Sequence, residues 1–309
     1  MQLLITGGTG FIGQALCPAL VQAGHQVCVL TRDLRRAARR LPGMTVVDTL
    51  DGVQADAVIN LAGEPLAAGR WTDARKQRFR ASRLGMTGQL HAWIAQQPAE
   101  QRPSVLISGS AVGYYGERGD SILTEADRAG DDFSAQLCRD WEAEATRIAA
   151  LGPRVSWVRT GIVLDRDGGA LARMLPAFRF GGGGLARMLP AFRFGGGGPF
   201  GDGRHWMSWI HRADMVALLL WLLEQGQAGA YNATAPTPVT NTEFARTLAH
   251  VLHRPALLAL PAGLLRLGFG EMAELLLISQ RVLPQRALDA GFRFQYVRLE
   301  AALRAILQR

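Results

Sequence analysis

Gly7, Gly10 and Gly13, in the stretch Thr6-Gly-Gly-Thr-Gly-Phe-Ile-Gly13, carry the first chemistry legible in this chain. Their spacing suits a loop that grips a pyrophosphate. One glycine allows a tight turn, the next lets the backbone approach the phosphates, and the third lets a helix pack closely on a strand. The loop works only between a strand and a helix. Leu3-Leu4-Ile5 supplies the strand, and Phe11, Leu16, Leu20 and Val21 recur on one face of the helix. A second apolar run, 26–30, arrives where the next strand of a βαβ unit belongs. Thr31-Arg32 follow it, where a carboxylate would select NAD. An acid there would bond a ribose 2′-hydroxyl and repel a 2′-phosphate, whereas Arg32 offers planar, charge-assisted donors to phosphate. NADP is therefore expected over NAD. Asp33 reads as a cap for the following helix.

The elements that must position this loop follow in alternation. Strands are expected at 44–47 and 57–60, the second ending in Asn60-Leu61-Ala62-Gly63, whose small residues let a ligand pass close. A long helix is predicted over 72–94 with Thr72 as its cap, then a strand at 105–107 that opens into Ser108-Gly-Ser110-Ala-Val-Gly-Tyr114-Tyr115-Gly116. A helix at 134–150, a strand at 155–158, a helix at 213–224 and a strand at 230–232 continue the pattern, with helices at 242–252 and from 299. This predicts an α/β fold: a Rossmann-like doubly wound parallel sheet with a smaller C-terminal substrate lobe. The nucleotide domain is expected over 1–165, with 212–235 returning to it, and the lobe over 166–211 and 236–309. Residues 171–184 recur unchanged as 185–198, so one helical slot has two candidates.

Composition narrows the partners. The chain has 309 residues and a formal charge of +8, but its basic residues are dispersed. Their one cluster, Arg35, Arg36, Arg39 and Arg40, reads as a solvated helix face beside a phosphorylated cofactor, which argues against nucleic acid. Of 34 basic residues only Lys76 is lysine. The apolar run 215–223 has the length of a buried helix, and Pro261 and Arg266 interrupt 256–269, so no membrane span is expected. With the first strand starting at once, no signal peptide is read, and the cytoplasm is the expected location. Cys17, Cys28 and Cys138 form no CxxC, and His250 and His253 lack companion ligands, so neither disulfide nor metal is expected. The partner expected is a small molecule, and a homo-oligomer is left open.

The order of motifs over 1–240 resembles the extended short-chain dehydrogenase/reductase superfamily, in its nucleotide-sugar epimerase branch. The whole chain is similar to an epimerase-like family that carries Ser-Ala-Val-Gly-Tyr-Tyr-Gly (110–116), Trp-Met-Ser-Trp-Ile-His (206–211), Gly-Glu-Met-Ala (270–273) and Gln-Arg-Val-Leu-Pro (280–284). The resemblance implies dinucleotide contacts at Gly7, Thr9, Gly10, Phe11, Ile12, Ala62 and Gly63, with Ser108 beside the nicotinamide ribose. It assigns Ser110 as the catalytic serine. The superfamily's Tyr-x-x-x-Lys is missing: Ser134 and Cys138 stand at those positions, and Lys76 precedes the fifth strand. An ammonium beside a phenol would lower its pKa and let it shuttle a proton. Tyr114 and Tyr115 remain near Ser110, either as loop packing or, for Tyr114, as the proton donor. His205 and His211, with Trp206 and Trp209, either line a pocket or pack beside the loop. Two functions follow as expectations. The first is an atypical NADP-dependent epimerase or oxidoreductase acting on a small polar substrate through Ser110 and Tyr114. The second is a sensor or scaffold that holds NADP without turning it over.

Overall fold

A computed structural model describes residues 1–172, 198–254, 256 and 259–308, so most of the duplicated segment, 173–197, lies outside the described residues. The chain begins with strand β1 (Gln2–Thr6), helix α1 (Gly13–Gln22), β2 (Gln26–Leu30), α2 (Leu34–Arg40), β3 (Thr45–Val47) and β4 (Ala57–Asn60). It continues through α3 (Asp73–Arg80), α4 (Met86–Gln96), β5 (Val105–Ala111), β6 (Ile122–Leu123), α5 (Phe133–Ala149) and β7 (Arg154–Thr160). Then come β8 (Ile162–Asp165), β9 (Trp206–Met207), β10 (Trp209–His211), α6 (Arg212–Glu224) and β11 (Gly229–Ala233). Seven parallel strands form one sheet in the order β3-β2-β1-β4-β5-β7-β11. The chain reverses direction of winding between β1 and β4, which opens a crevice at their C-terminal ends.

Strand residues are buried on both faces, as alternation with helices demands. Leu3, Ile5, Val27, Val29, Ile59 and Ile107 pack with Leu16 and Leu20 of α1 and with Met215, Leu219 and Leu222 of α6. Their neighbours Leu4, Val58, Leu106 and Val155 face the other way, against Leu90, Trp93 and Ile94 of α4 and Ala145 and Ile148 of α5. The period of two along each strand thus builds two cores, and the sheet is doubly wound as the sequence predicts.

The C-terminal part adds β12 (Val239–Thr240), α7 (Asn241–Val251), α8 (Ala262–Phe269), α9 (Glu274–Leu277), β13 (Arg281–Val282), α10 (Gln285–Asp289) and α11 (Leu299–Leu307). Here α7 packs on α11 through Phe244, Leu248, Leu303 and Ile306, around the buried Trp209. A capping box starts α7: the Thr240 hydroxyl accepts from the Glu243 N–H, and the Glu243 carboxylate accepts from the Thr240 N–H. Strand β13 pairs with β6, tying this part to the loop after β5.

One predicted element is broken. The helix expected over 72–94 does start at its Thr72 cap, but divides at a π-helical turn, Ala81–Gly85. There the Thr87 hydroxyl donates to the Arg83 carbonyl at 2.9 Å while accepting from Asn60 Nδ2 at 3.0 Å and Trp141 Nε1 at 3.2 Å. A side-chain hydroxyl that competes for a helical carbonyl is a local cause of such irregularity.

Candidate active site

The glycine loop is built as its spacing requires. Gly7 has φ of +71°, and a Cβ on it would lie 2.5 Å from the Leu61 carbonyl oxygen. A Cβ on Gly13 would lie 2.5 Å from the Gly7 oxygen, so the helix can approach the strand only with glycine there. The Gly10 N–H closes the turn on Gly7 O at 2.9 Å. Helix α1 begins after Ile12 with no side-chain cap, so the positive end of its dipole faces the loop, while the Gln14 and Ala15 N–H groups close on Gly10 O and Ile12 O, both at 3.0 Å. The Thr9 carbonyl is held by Gln14 Nε2 (3.1 Å) and by Arg40 Nη1 (2.9 Å), so the arginine-rich helix face reaches this loop. Arg32 is exposed after β2, and Asp33 caps α2 by accepting from the Arg36 N–H at 2.9 Å. The Phe11 ring lies under the Arg212 guanidinium, 5.0 Å away, and against Gly168 and Gly169, where any Cβ would strike it.

At the end of β4 the small residues lie where expected, and a polar chain fixes them. Thr6 donates to Asn60 Oδ1 at 2.6 Å, and the Ala62 N–H donates to the same oxygen at 3.4 Å. A Cβ on Gly63 would be 3.0 Å from the Arg83 guanidinium carbon. Both terminal nitrogens of Arg83 donate to Glu64 O at 3.1 Å, and its face lies 5.2 Å from the Trp141 ring. Burial holds the Arg83 pKa below its ordinary value. Ser108 is fully buried, with its hydroxyl turned to Gly109 O. These features fit a dinucleotide: a cradle that a Cβ would fill, an uncapped helix start, and cations with no acid at the end of β2.

The end of β5 carries an unexpected ion network. Ser110, 5% exposed, donates to Glu142 Oε1 at 2.6 Å. Arg159 grips the same carboxylate with Nε and Nη2, both at 2.9 Å. Its Nη1 reaches the Tyr115 hydroxyl at 3.0 Å, which donates to Asn232 Oδ1 at 2.7 Å. The Tyr114 ring covers the guanidinium, 3.5 Å from its carbon. Sheet register brings this about, because Ser110 lies directly beside Arg159 on β7. Burial disfavours the charge on Arg159, but the bonds and charge of Glu142 outweigh it and hold the guanidinium above its ordinary pKa. Burial pushes the Tyr115 phenol up, so it stays protonated at neutral pH.

The structure thus joins Ser110 and Tyr114 through one arginine, brings in Tyr115, which the sequence offered only as loop packing, and adds Glu142, Arg159 and Asn232, which sequence reasoning missed. A signal for Glu142 was present: it follows Ser134 and Cys138 at intervals of four, which places a carboxylate on the apolar face of an amphipathic helix. Cys138 cannot stand in for an ammonium. Burial, reinforced by Glu142, pushes its thiol up to about 12.

The remaining candidates divide. His211 caps α6 through Nδ1, which accepts from the Ala213 N–H at 3.0 Å, and stacks on Tyr296; Trp209 is buried. Trp206 bonds Asp120 and lies under Arg281. His205 is buried with no partner for Nε2, and burial lowers its pKa. Among the described residues no group of His, Cys, Asp or Glu could hold a metal, and no helix is long and apolar enough to cross a membrane.

The chain is similar to known proteins along its whole length. The model of the NAD dependent epimerase/dehydratase family matches residues 3–234, and that of a domain of unknown function matches 260–306. The epimerase family protein SDR39U1 homolog, chloroplastic, of Arabidopsis thaliana is 39% identical over 318 residues, covering 100% of this chain and 87% of the relative. Epimerase family protein YfhF of Bacillus subtilis is 36% identical, covering 99% of this chain and 98% of the relative. The crystal structure of human epimerase family protein SDR39U1 (isoform 2) with NADPH superposes with a TM-score of 0.86 at 35% identity, over 100% of both chains. The Thermotoga maritima UDP-glucose 4-epimerase, with UDP-glucose, shares the fold at 17% identity and a TM-score of 0.78, over 100% of this chain and 98% of that one.

Proposed function

The chain belongs to the NAD dependent epimerase/dehydratase family, and from that membership we propose an NADP-binding epimerase or oxidoreductase that acts on a small polar substrate with an atypical proton-transfer site. The observation that carries the reading is the buried Ser110–Glu142 bond of 2.6 Å on β5, the strand beside the nucleotide crevice. The human relative's complex with NADPH supports the cofactor, as do Arg40, which donates to Thr9 O in the loop, and Arg32, exposed after β2. In this reading Gly7, Thr9, Gly10, Phe11 and Ile12 hold the pyrophosphate, Arg32 the 2′-phosphate, and Ala62, Gly63 and Ser108 border the rest of the nucleotide. NADP, when bound, supplies the hydride-transferring centre.

The chain's own groups handle the proton. Ser110 Oγ has its hydrogen committed to Glu142, so it presents lone pairs to a substrate hydroxyl. A proton accepted there can be relayed as the serine's own proton passes to Glu142. Arg159 binds both carboxylate oxygens and so fixes Glu142 in line with the serine. Tyr114, spread over Arg159, orients or protonates the reacting group. We place the nucleotide half at 1–165 with 212–235, the substrate lobe at 166–211 and 236–309, and the protein in the cytoplasm.

The test follows NADPH absorbance with panels of small polar carbonyl and hydroxyl compounds. Ser110→Ala should lower turnover by roughly 10²–10⁴, the usual worth of general acid–base help, and leave NADPH affinity unchanged. Full turnover by that variant would overturn the serine's role. A second reading, an NADP sensor or scaffold, draws on one observation: both oxygens of the Glu142 carboxylate are already bonded, Oε1 to Ser110 and Arg159 and Oε2 to Arg159. Tight NADPH binding by the unaltered protein without turnover on any panel would favour it.

A further inference from the structure

Two motifs near the C-terminus, Gly-Glu-Met-Ala and Gln-Arg-Val-Leu-Pro, each dock on a different loop at the open edge of the sheet, and Val282 of the second also packs in the buried cluster of Tyr115 and Leu123. The second reaches the loop that follows β5. Gln280 Nε2 donates to Gly116 O at 3.2 Å, and the Ser279 N–H and hydroxyl donate to Glu117 Oε2 and Gly119 O, both at 2.7 Å. The Arg118 N–H returns a bond to Ser279 O at 3.2 Å. Strand β13 then pairs with β6, and the Arg286 N–H donates to Glu125 Oε2 at 3.2 Å. The far side of this strap meets the ion network, since Asn232 Nδ2 donates to Leu283 O while Asn232 Oδ1 holds the Tyr115 hydroxyl.

The first motif reaches the other wall, the loop and helix after β4. Glu271 pairs with Lys76 at 2.6 Å, and Arg70 Nη2 donates to Leu267 O at 2.5 Å. The chain's single lysine therefore serves this contact. The stretch between the two docking points packs on a buried cluster of Phe200, Leu260, Leu265 and Ala273, against which Phe269, Leu276 and Leu277 also lie.

We propose that residues 260–286 are a clamp that joins the loop after β4 (64–76) to the loop after β5 (112–125), and so fixes the spacing of the two walls of the reaction cleft. The inference rests on the proposed reading of that edge as the reaction site. It gives the C-terminal domain of unknown function a positioning role. The two grips are unequal: the strap at 279–286 uses many bonds, most of them at least partly buried, whereas the other side holds by the Glu271–Lys76 ion pair, with Glu271 45% exposed, and the exposed Arg70–Leu267 bond. Exposed pairs are weak, so the latch side yields first.

Amide hydrogen exchange on the full chain, with and without NADPH, tests this. Glu271→Gln should raise exchange in 64–76 at least threefold and leave 112–125 unchanged, while Gln280→Ala should do the reverse. Reversing the pair, Lys76→Glu with Glu271→Lys, should restore protection in 64–76, which a change in general stability would not do. Unchanged exchange in both loops, or an equal rise throughout the chain, would overturn the clamp. Should Gln280→Ala fail to fold, the exposed Glu271→Gln variant and its reversal still decide. Because exchange is also read without nucleotide, failure of NADPH to bind would count against the functional reading alone.

Discussion

The two ends of the crevice are made of different materials. The nucleotide cradle is backbone: Gly7 and Gly13 are required because a Cβ at either would strike main-chain oxygen, and Leu61 to Gly63 complete it within sixty residues of chain. The proposed reaction end is side chain and charge: Ser110, Tyr115, Glu142, Arg159 and Asn232 converge from β5, the turn after it, α5, β7 and β11, and Glu125 and Arg286, which brace it, lie 161 residues apart. A backbone site is specified by spacing and tolerates little variation in residue type. A side-chain site is specified by sheet register and helix phase, and can exchange one proton-handling set for another while the fold stays.

That contrast can be broken or sharpened by substitution. The largest effect is expected at Glu142→Leu, which strands the Arg159 charge in the interior. Loss of one partner of a buried pair costs about 3–5 kcal/mol, so chemical denaturation should show that loss, whereas a surface pair such as Arg147–Glu144 should give less than about 1 kcal/mol. Next, Gly7→Val should weaken NADPH binding at least ~100-fold, about 2.7 kcal/mol, because the left-handed backbone and the Leu61 carbonyl both exclude a side chain. Calorimetric titration reads this directly. Arg32→Ala should cost roughly 1.5–3 kcal/mol toward NADPH and little toward NADH, as a charge-assisted bond to phosphate predicts; equal losses would remove Arg32 from the site. Tyr114→Phe should slow any turnover by about tenfold or more with NADPH affinity unchanged, the mark of a group acting in the transition state.

The smallest effect concerns pH. Burial raises the thiols of Cys17 and Cys138 from 9.0 to about 12 in the folded chain. Groups raised in this sense contribute stability that is complete below pH 9 and is lost as pH rises through about 12. Denaturation midpoints should therefore be insensitive to these thiols between pH 7 and 9 and should fall above that, less steeply in Cys17→Ala. At pH 8 neither buried thiol should react with a thiol reagent in the folded protein.

Much of the fold was legible because each strand alternates between two cores and each helix repeats near 3.6. The fourth strand and the Asp33 and Thr72 caps stand where the sequence reading put them. The break at Ala81–Gly85 was not legible, since it depends on Thr87 meeting Asn60 and Trp141 across the fold. The glycine loop could be read from spacing alone, and the sequence offers no lysine in the segment around Ser110. What replaces it could not be read, because nothing local says that Arg159 lies beside Ser110 until the β5–β7 register is known. The exposed Arg40 could be read only as part of a solvated face, and its reach to Thr9 came from the packing of α2.

The central claim is that this cradle selects the phosphorylated dinucleotide, and a paired calorimetric titration of the unaltered protein with NADPH and with NADH tests it most directly. The account predicts binding of NADPH at least about tenfold tighter, roughly 1.4 kcal/mol, at the same salt concentration. Equal affinity, or a preference for NADH, would contradict it.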